Sequence, residues 1–83
     1  MSEVEIGKVT DFFAQPVVAG IELIAILNLG DKIHIKGHTT DIEFTVDSMQ
    51  IDNENVEQAK ARDSIGVKVG DRVRRGDIVY KVT

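Results

Sequence analysis

The sequence predicts an all-β domain, a small closed barrel of about six to seven short strands, on three observations. Apolar residues alternate with polar ones, as at Ile65, Val67 and Val69 and again at Ile78, Tyr80 and Val82. A period of two sends successive side chains to opposite faces, which a half-buried strand requires. Gly-Asp pairs punctuate these runs at Gly30-Asp31, Gly70-Asp71 and Gly76-Asp77. Glycine tolerates the positive φ of a tight turn, and aspartate bonds nearby backbone N–H groups. The turn signals also recur too closely to leave room for long helices.

Taken in order, Val4 to Phe13 reads as the first strand. Its apolar face shifts between Ile6 and Val9, and Gly7 between them points to a bulge or bend. Gln15-Pro16 breaks the run, since proline suits a strand edge or start. Val17 to Ile24 is the second strand, with Val17, Ala19, Ile21 and Leu23 on one face. Ala25 to Leu29 reads as loop or strand end, although its apolar character would also suit a short helix. Ile33 and Ile35 point inward and His34 and Lys36 outward, before a turn at Gly37 to Asp41. Ile42 to Ile51 is the longest strand candidate. Its face changes between Phe44/Val46 and Met49/Ile51, which asks for a bulge near Asp47-Ser48 or a sharp twist. Asp52 to Asn55 reads as a polar loop, and Val56 to Ala61 allows one helical turn facing the core through Val56 and Ala59. The C-terminal segment, Ile65 to Val82, completes the barrel.

Eighty-three residues make one domain, residues 1–83, near the lower limit for a single core. Without cysteine, neither disulfides nor thiolate metal sites are available. The N-terminal residues lack the basic and apolar regions of a secretory signal. The apolar run from Pro16 to Leu29 contains Glu22 and is too short to span a bilayer. A cytoplasmic protein without a membrane partner is the expectation. The net charge of −4 is unevenly spread. Residues 1–59 hold three lysines against eleven acids, and residues 60–83 hold seven basic residues against three acids. Overall acidity argues against general nucleic-acid binding, but a local basic surface remains.

Most catalytic signatures are missing. Gly7-Lys8 lacks the upstream glycine and following hydroxyl of a phosphate-binding loop, so no nucleotide is expected. His34 and His38 have no third ligand spaced with them, and no metal site is expected. Asp52, Glu54 and Glu57 lack the glycine and spaced glutamate of a calcium loop. Ser48 sits in no nucleophile-elbow pattern. The chain is expected to have neither cofactor nor enzymatic activity of its own.

A family resemblance emerges from motifs that run in order along nearly the whole chain. They are Ile6-Gly7-Lys8-Val9, Val18-Ala19, Glu22-Leu23, and Leu29-Gly30-Asp31-Lys32-Ile33-His34-Ile35-Lys36-Gly37. Val46-Asp47-Ser48-Met49-Gln50, Val56-Glu57, Ala59, Asp63, Ile65-Gly66-Val67 and Arg75-Gly76-Asp77-Ile78-Val79-Tyr80 continue the series. The chain resembles domain II of the translational GTPases, the β-barrel of elongation factor Tu. It is most similar to the small archaeal translation elongation factor-like proteins and to the C-terminal barrel of collagenase-like peptidases. The resemblance implies a translation-related module without GTPase activity, with transfer RNA, ribosomal RNA or a ribonucleoprotein as partner. The alternative it implies is a protein-interaction or accessory subunit of a separately encoded peptidase-like enzyme. The motif residues build turns and core, so no RNA-binding residue is carried over from the family.

Two sets of residues remain as binding candidates. Lys68, Arg72, Arg74 and Arg75 occupy outward positions of the C-terminal segment, where arginine's fork suits phosphate oxygens. Ile24, Ala25 and Ile26 replace the family's polar hairpin turn with an apolar one, which would serve a partner or self-association unless covered. Arg62 stands where relatives carry glycine, so positive φ is expected there at a strain of about 1 kcal/mol.

Overall fold

A computed structural model describes residues 2–14 and 17–83. The domain is all-β and antiparallel. The described residues form ten strands: β1 (Glu3–Ala14), β2 (Val17–Leu23), β3 (Leu27–Asn28), β4 (Lys32–Lys36), β5 (Asp41–Thr45), β6 (Met49–Ile51), β7 (Glu54–Val56), β8 (Gln58–Ala59), β9 (Ser64–Lys68) and β10 (Ile78–Val82). Eight form one sheet in the order β5-β4-β10-β1-β2-β9-β6-β7, and β3 pairs with β8. Strand pairing does not join β5 to β7. Backbone bonds from Leu29 N to Glu57 O and from Gly30 N to Val46 O run between these two ends instead. The expected break at Gln15-Pro16 lies outside the described residues.

The core gathers Ile6, Val9, Ala19, Ile21, Leu23, Leu27, Ile33, Ile35, Val46, Met49, Ala59, Ile65, Val67, Val69, Val73 and Val79, all buried. At this size nearly every branched aliphatic residue is needed to offset the entropy of ordering the chain. Gly7 marks the expected irregularity of β1. Its register against β10 slips between Glu5 and Gly7, so Ile6 and Val9 both reach the core. A second slip, between Val9 and Asp11, lies against β2.

Three turns share one design. In Asn28-Leu29-Gly30-Asp31, Lys60-Ala61-Arg62-Asp63 and Arg74-Arg75-Gly76-Asp77, the aspartate N–H donates to the carbonyl three residues back. Its carboxylate in turn accepts the N–H of that same first residue, at 2.8–2.9 Å. The third residue has φ of +89°, +77° and +91° respectively, the value a type II turn requires. Each turn delivers the chain into a sheet strand, β4, β9 and β10. Two use glycine, and Arg62 accepts the strain. Arg62→Gly is therefore expected to leave the urea midpoint unchanged or raised, the relief of about 1 kcal/mol offsetting the looser unfolded chain. A clear fall in midpoint at unchanged slope would contradict it.

Several sequence expectations are corrected. The single strand over Ile42 to Ile51 is two, because buried Val46 leaves the ladder to bond Gly30 and Asp31 through its backbone. The Asp52–Asn55 loop is only Asp52-Asn53. These two residues take φ of +52° and +67° and close a hairpin in which Ile51 pairs with Glu54, as a type I′ turn does. No helical turn forms over Val56 to Ala61. Ala59 instead pairs with Leu27, so the apolar Ala25–Leu29 stretch ends in β3, and both side chains enter the core. In β10 the buried residue is Val79, opposite both Ile35 and Gly7, while Ile78, Tyr80 and Val82 are half-buried on the other face. The alternation was present in the sequence, but either phase of Ile-Val-Tyr-Lys-Val presents apolar residues.

Candidate functional site

Of the four basic candidates, the structure gathers three. Arg72, Arg74 and Arg75 line a shallow depression of 510 Å³ together with Asp11, Phe12 and Val73. Buried Val73 and the Arg74–Asp77 turn hold the segment against β1, with Gly76 N bonded to Val9 O and Val9 N to Asp77 O. The Arg72 guanidinium lies 6.0 Å from the centre of the Phe12 ring. An Arg75 nitrogen lies 3.5 Å from Asp11 Oδ1, an exposed pair worth about 0–1 kcal/mol. Lys68 stands apart, on β9 opposite Val18, lining other depressions with Gln50 and with Phe44.

The Ile24–Ile26 segment is uncovered. Ile24 is 59% exposed and Ile26 45%, whereas Ala25 packs on the core and Leu27 is buried. The segment is anchored, not slack. Ile24 N donates to Ile6 O at 2.7 Å, and Leu23 exchanges backbone bonds with Arg62 and Asp63. Val4, two residues before Ile6 in β1, is also exposed. Phe13 is exposed as well but closes the far end of β1, so the exposed apolar residues do not form one surface.

A third constellation was missed in the sequence. His34 Nδ1 lies 2.6 Å from Glu3 Oε2, and Nε2 bonds Asp41 Oδ1. Glu43 lies opposite His34 across the β4–β5 ladder and pairs with Lys32 Nζ at 2.8 Å. The hydrogen bonds to Asp41 and then to Glu3 raise the imidazole pKa above 6.5. Because the folded value exceeds the unfolded one, this contribution to stability is fully present below pH 6.5 and is lost as pH rises through the raised value. The urea midpoint of the native protein should accordingly fall over that window relative to His34→Gln. A midpoint difference that stays constant with pH would show that the clamp is not charged. No sequence signal linked these residues, because Glu3 lies 31 positions from His34 and meets it only across β10.

Other sequence candidates fall apart. His38 is exposed and belongs to no cluster of potential ligands among the described residues. Ser48 lines a 370 Å³ depression with Leu29, Asp47, Met49, Asn55, Val56 and Glu57, and no histidine takes part. Asp52 is spent in the hairpin turn and Glu54 in β7.

Comparison with known proteins follows the fold. No protein-family model matches the chain. Over 79 residues, 94% of the chain, it is 47% identical to an uncharacterized protease of Methanocaldococcus jannaschii, and it spans 19% of that protein's length. The C-terminal domain of a putative U32 peptidase of Geobacillus thermoleovorans superposes with a TM-score of 0.89 at 12% identity, covering 95% of this chain and 92% of that one. A selenomethionine variant of the same domain gives 0.86 at 11% identity, covering 92% and 96%. The chain thus resembles the C-terminal domain of U32 peptidases in fold, and a segment of a protease in sequence.

Proposed function

We propose that this domain is a non-catalytic docking module that works with a peptidase-like catalytic unit. The observation that carries the reading is the 47% identity over almost the whole chain to a segment making up a fifth of a protease. Among the described residues, the depressions found are open and none is lined by both a serine and a histidine, which supports binding over catalysis. The anchored Ile24–Ile26 ridge is the contact surface, since two exposed isoleucines on a fixed backbone lose little entropy when covered. The test uses the Methanocaldococcus protease lacking its matched segment, titrated with this domain in a calorimeter. A saturable complex weakened at least about 10-fold by Ile24→Asp or Ile26→Asp, as loss of a central apolar contact predicts, supports the reading. Absence of a complex, or one indifferent to both changes, overturns it.

One observation favours a second reading, in which the partner is RNA: the three arginines gathered beside Phe12. In that case RNA co-purifies with the protein and is lost on ribonuclease treatment. Arg74→Ala with Arg75→Ala should then make the salt slope shallower by about one to two units. Binding unchanged by the double substitution would return the arginines to ordinary surface.

A further inference from the structure

We propose that Glu3, His34 and Glu43 form a binding site for a divalent transition-metal cation on the outer face of the sheet. One ligand atom from each lies within 4.8 Å of the other two. The three residues stand on β1, β4 and β5, whose backbones are fixed by the ladder β5-β4-β10-β1. His34 is the rigid member. Its side chain is only 14% exposed, and its ring lies beside Tyr80 with centroids 6.4 Å apart.

The two ring nitrogens have different neighbours, and that difference defines the site. Nε2 is bonded by Asp41, while Nδ1 faces Glu3; Glu43 completes the group of three potential ligands. Metal-bound histidines generally pass their second N–H to a carboxylate, which fixes the ring and strengthens the ligating nitrogen. Asp41 occupies that supporting position, and Nδ1 is the ligand atom. The cation takes the place of the hydrogen shared between Nδ1 and Glu3. Glu3 and Glu43 carry exposed carboxylates, so side-chain rotation alone can shorten the spacing to bonds of about 2.0–2.2 Å. Lys32, now paired with Glu43, holds it through an exposed contact that a divalent charge can displace.

The donor set selects the ligand class. One imidazole and two carboxylates suit Zn²⁺, Co²⁺ or Mn²⁺ better than soft Cu⁺, for which thiolates or thioethers are needed. Three protein ligands also leave coordination positions for water, as in open metal sites. The pair His34 and His38 does not make this site, because His38 is exposed and outside the cluster. This inference is independent of the docking reading, which concerns Ile24 to Ile26.

The experiment titrates the full chain, freed of metal with a chelator, with Zn²⁺ by calorimetry and with Co²⁺ by visible absorption. About one saturable site per chain is expected, with cobalt bands showing nitrogen and oxygen ligation. His34→Gln and Glu43→Gln should each abolish it, Asp41→Asn should weaken it about 10- to 100-fold, and His38→Gln should leave it unchanged. Glu43→Gln guards against misfolding, since among the described residues that carboxylate pairs with the exposed Lys32 alone. No saturable binding, or binding of equal strength in His34→Gln or Glu43→Gln, overturns the proposal.

Discussion

Gly7→Ala is expected to destabilise the domain by about 3 kcal/mol, the upper part of the range for overpacking a tight interior. A β-carbon on Gly7 would lie 2.6 Å from the carbonyl oxygen of Glu22 and 3.2 Å from Ile21 Cγ2. The first contact is with backbone, so no rotamer change relieves it. Strand β1 would have to move from β2, yet Gly7 is registered against Leu23 on one side and Val79 on the other. The gain from a stiffer unfolded chain, about 0.4–1 kcal/mol, is too small to compensate. In urea, with a slope of about 1 kcal/mol per molar for so small a protein, the midpoint should fall by about 2–3 M. Gly70→Ala is the matched control, because a β-carbon there meets nothing within 4 Å and its φ is not positive. That variant should unfold at an unchanged or slightly higher midpoint. Equal behaviour of the two variants would mean that β1 and β2 can part without cost.

Gly7 also shows how far sequence reading reaches. Its place between two apolar residues of shifted phase announced a bulge, and the pairing register contains one. Positive φ at Arg62 was expected because relatives carry glycine at that place, and the residue does take a φ of +77°. The all-β class followed from alternation. Strand boundaries did not. The split at Val46 depends on backbone bonds to Gly30 and Asp31, and β3 exists only because Leu27 meets Ala59 across the chain. The phase of β10 was hidden because isoleucine, tyrosine and valine are apolar at every second position, so burial is decided by the neighbours Ile35 and Gly7.

The candidate surfaces were legible only where one segment makes them. Ile24 to Ile26 is such a segment, and its exposure agrees with the reading of an apolar connection. The arginines were correctly placed outward, but their setting beside Asp11 and Phe12 comes from the opposite end of the chain. Lys68 was grouped with them as another outward position of the C-terminal segment, whereas it lines depressions other than theirs. His34 is the extreme case. Its partners Glu3, Asp41 and Glu43 are ordinary exposed acids until the ladder β5-β4-β10-β1 places them around one ring.

Gly37→Ala should cost about 2–4 kcal/mol, and most of that cost should vanish when Asp77 is removed as well. A β-carbon on Gly37 would collide with Asp77 Oδ1. Asp77 is a buried charged residue, and its Oδ2 accepts the Arg74 N–H at 2.8 Å that closes the turn into β10. To admit the methyl group, the carboxylate must rotate and give up this bond. A hydrogen bond to a charged group is worth about 1.5–3 kcal/mol, and a buried carboxylate left without it adds a desolvation cost. Asp77→Ala alone loses the same turn bond but leaves no stranded charge, and should cost about 1–2 kcal/mol by analogy with the loss of a capping aspartate. In the double variant the collision is gone, so its stability should be close to that of Asp77→Ala. The cycle therefore predicts a coupling of about 2–4 kcal/mol, equal to the Gly37→Ala penalty, between residues 40 positions apart and far above the few tenths seen for independent sites. Urea midpoints of the four proteins measure it. If the penalty of Gly37→Ala persists undiminished in the Asp77→Ala background, glycine is required for the backbone conformation before β5 and not for the space that Asp77 occupies.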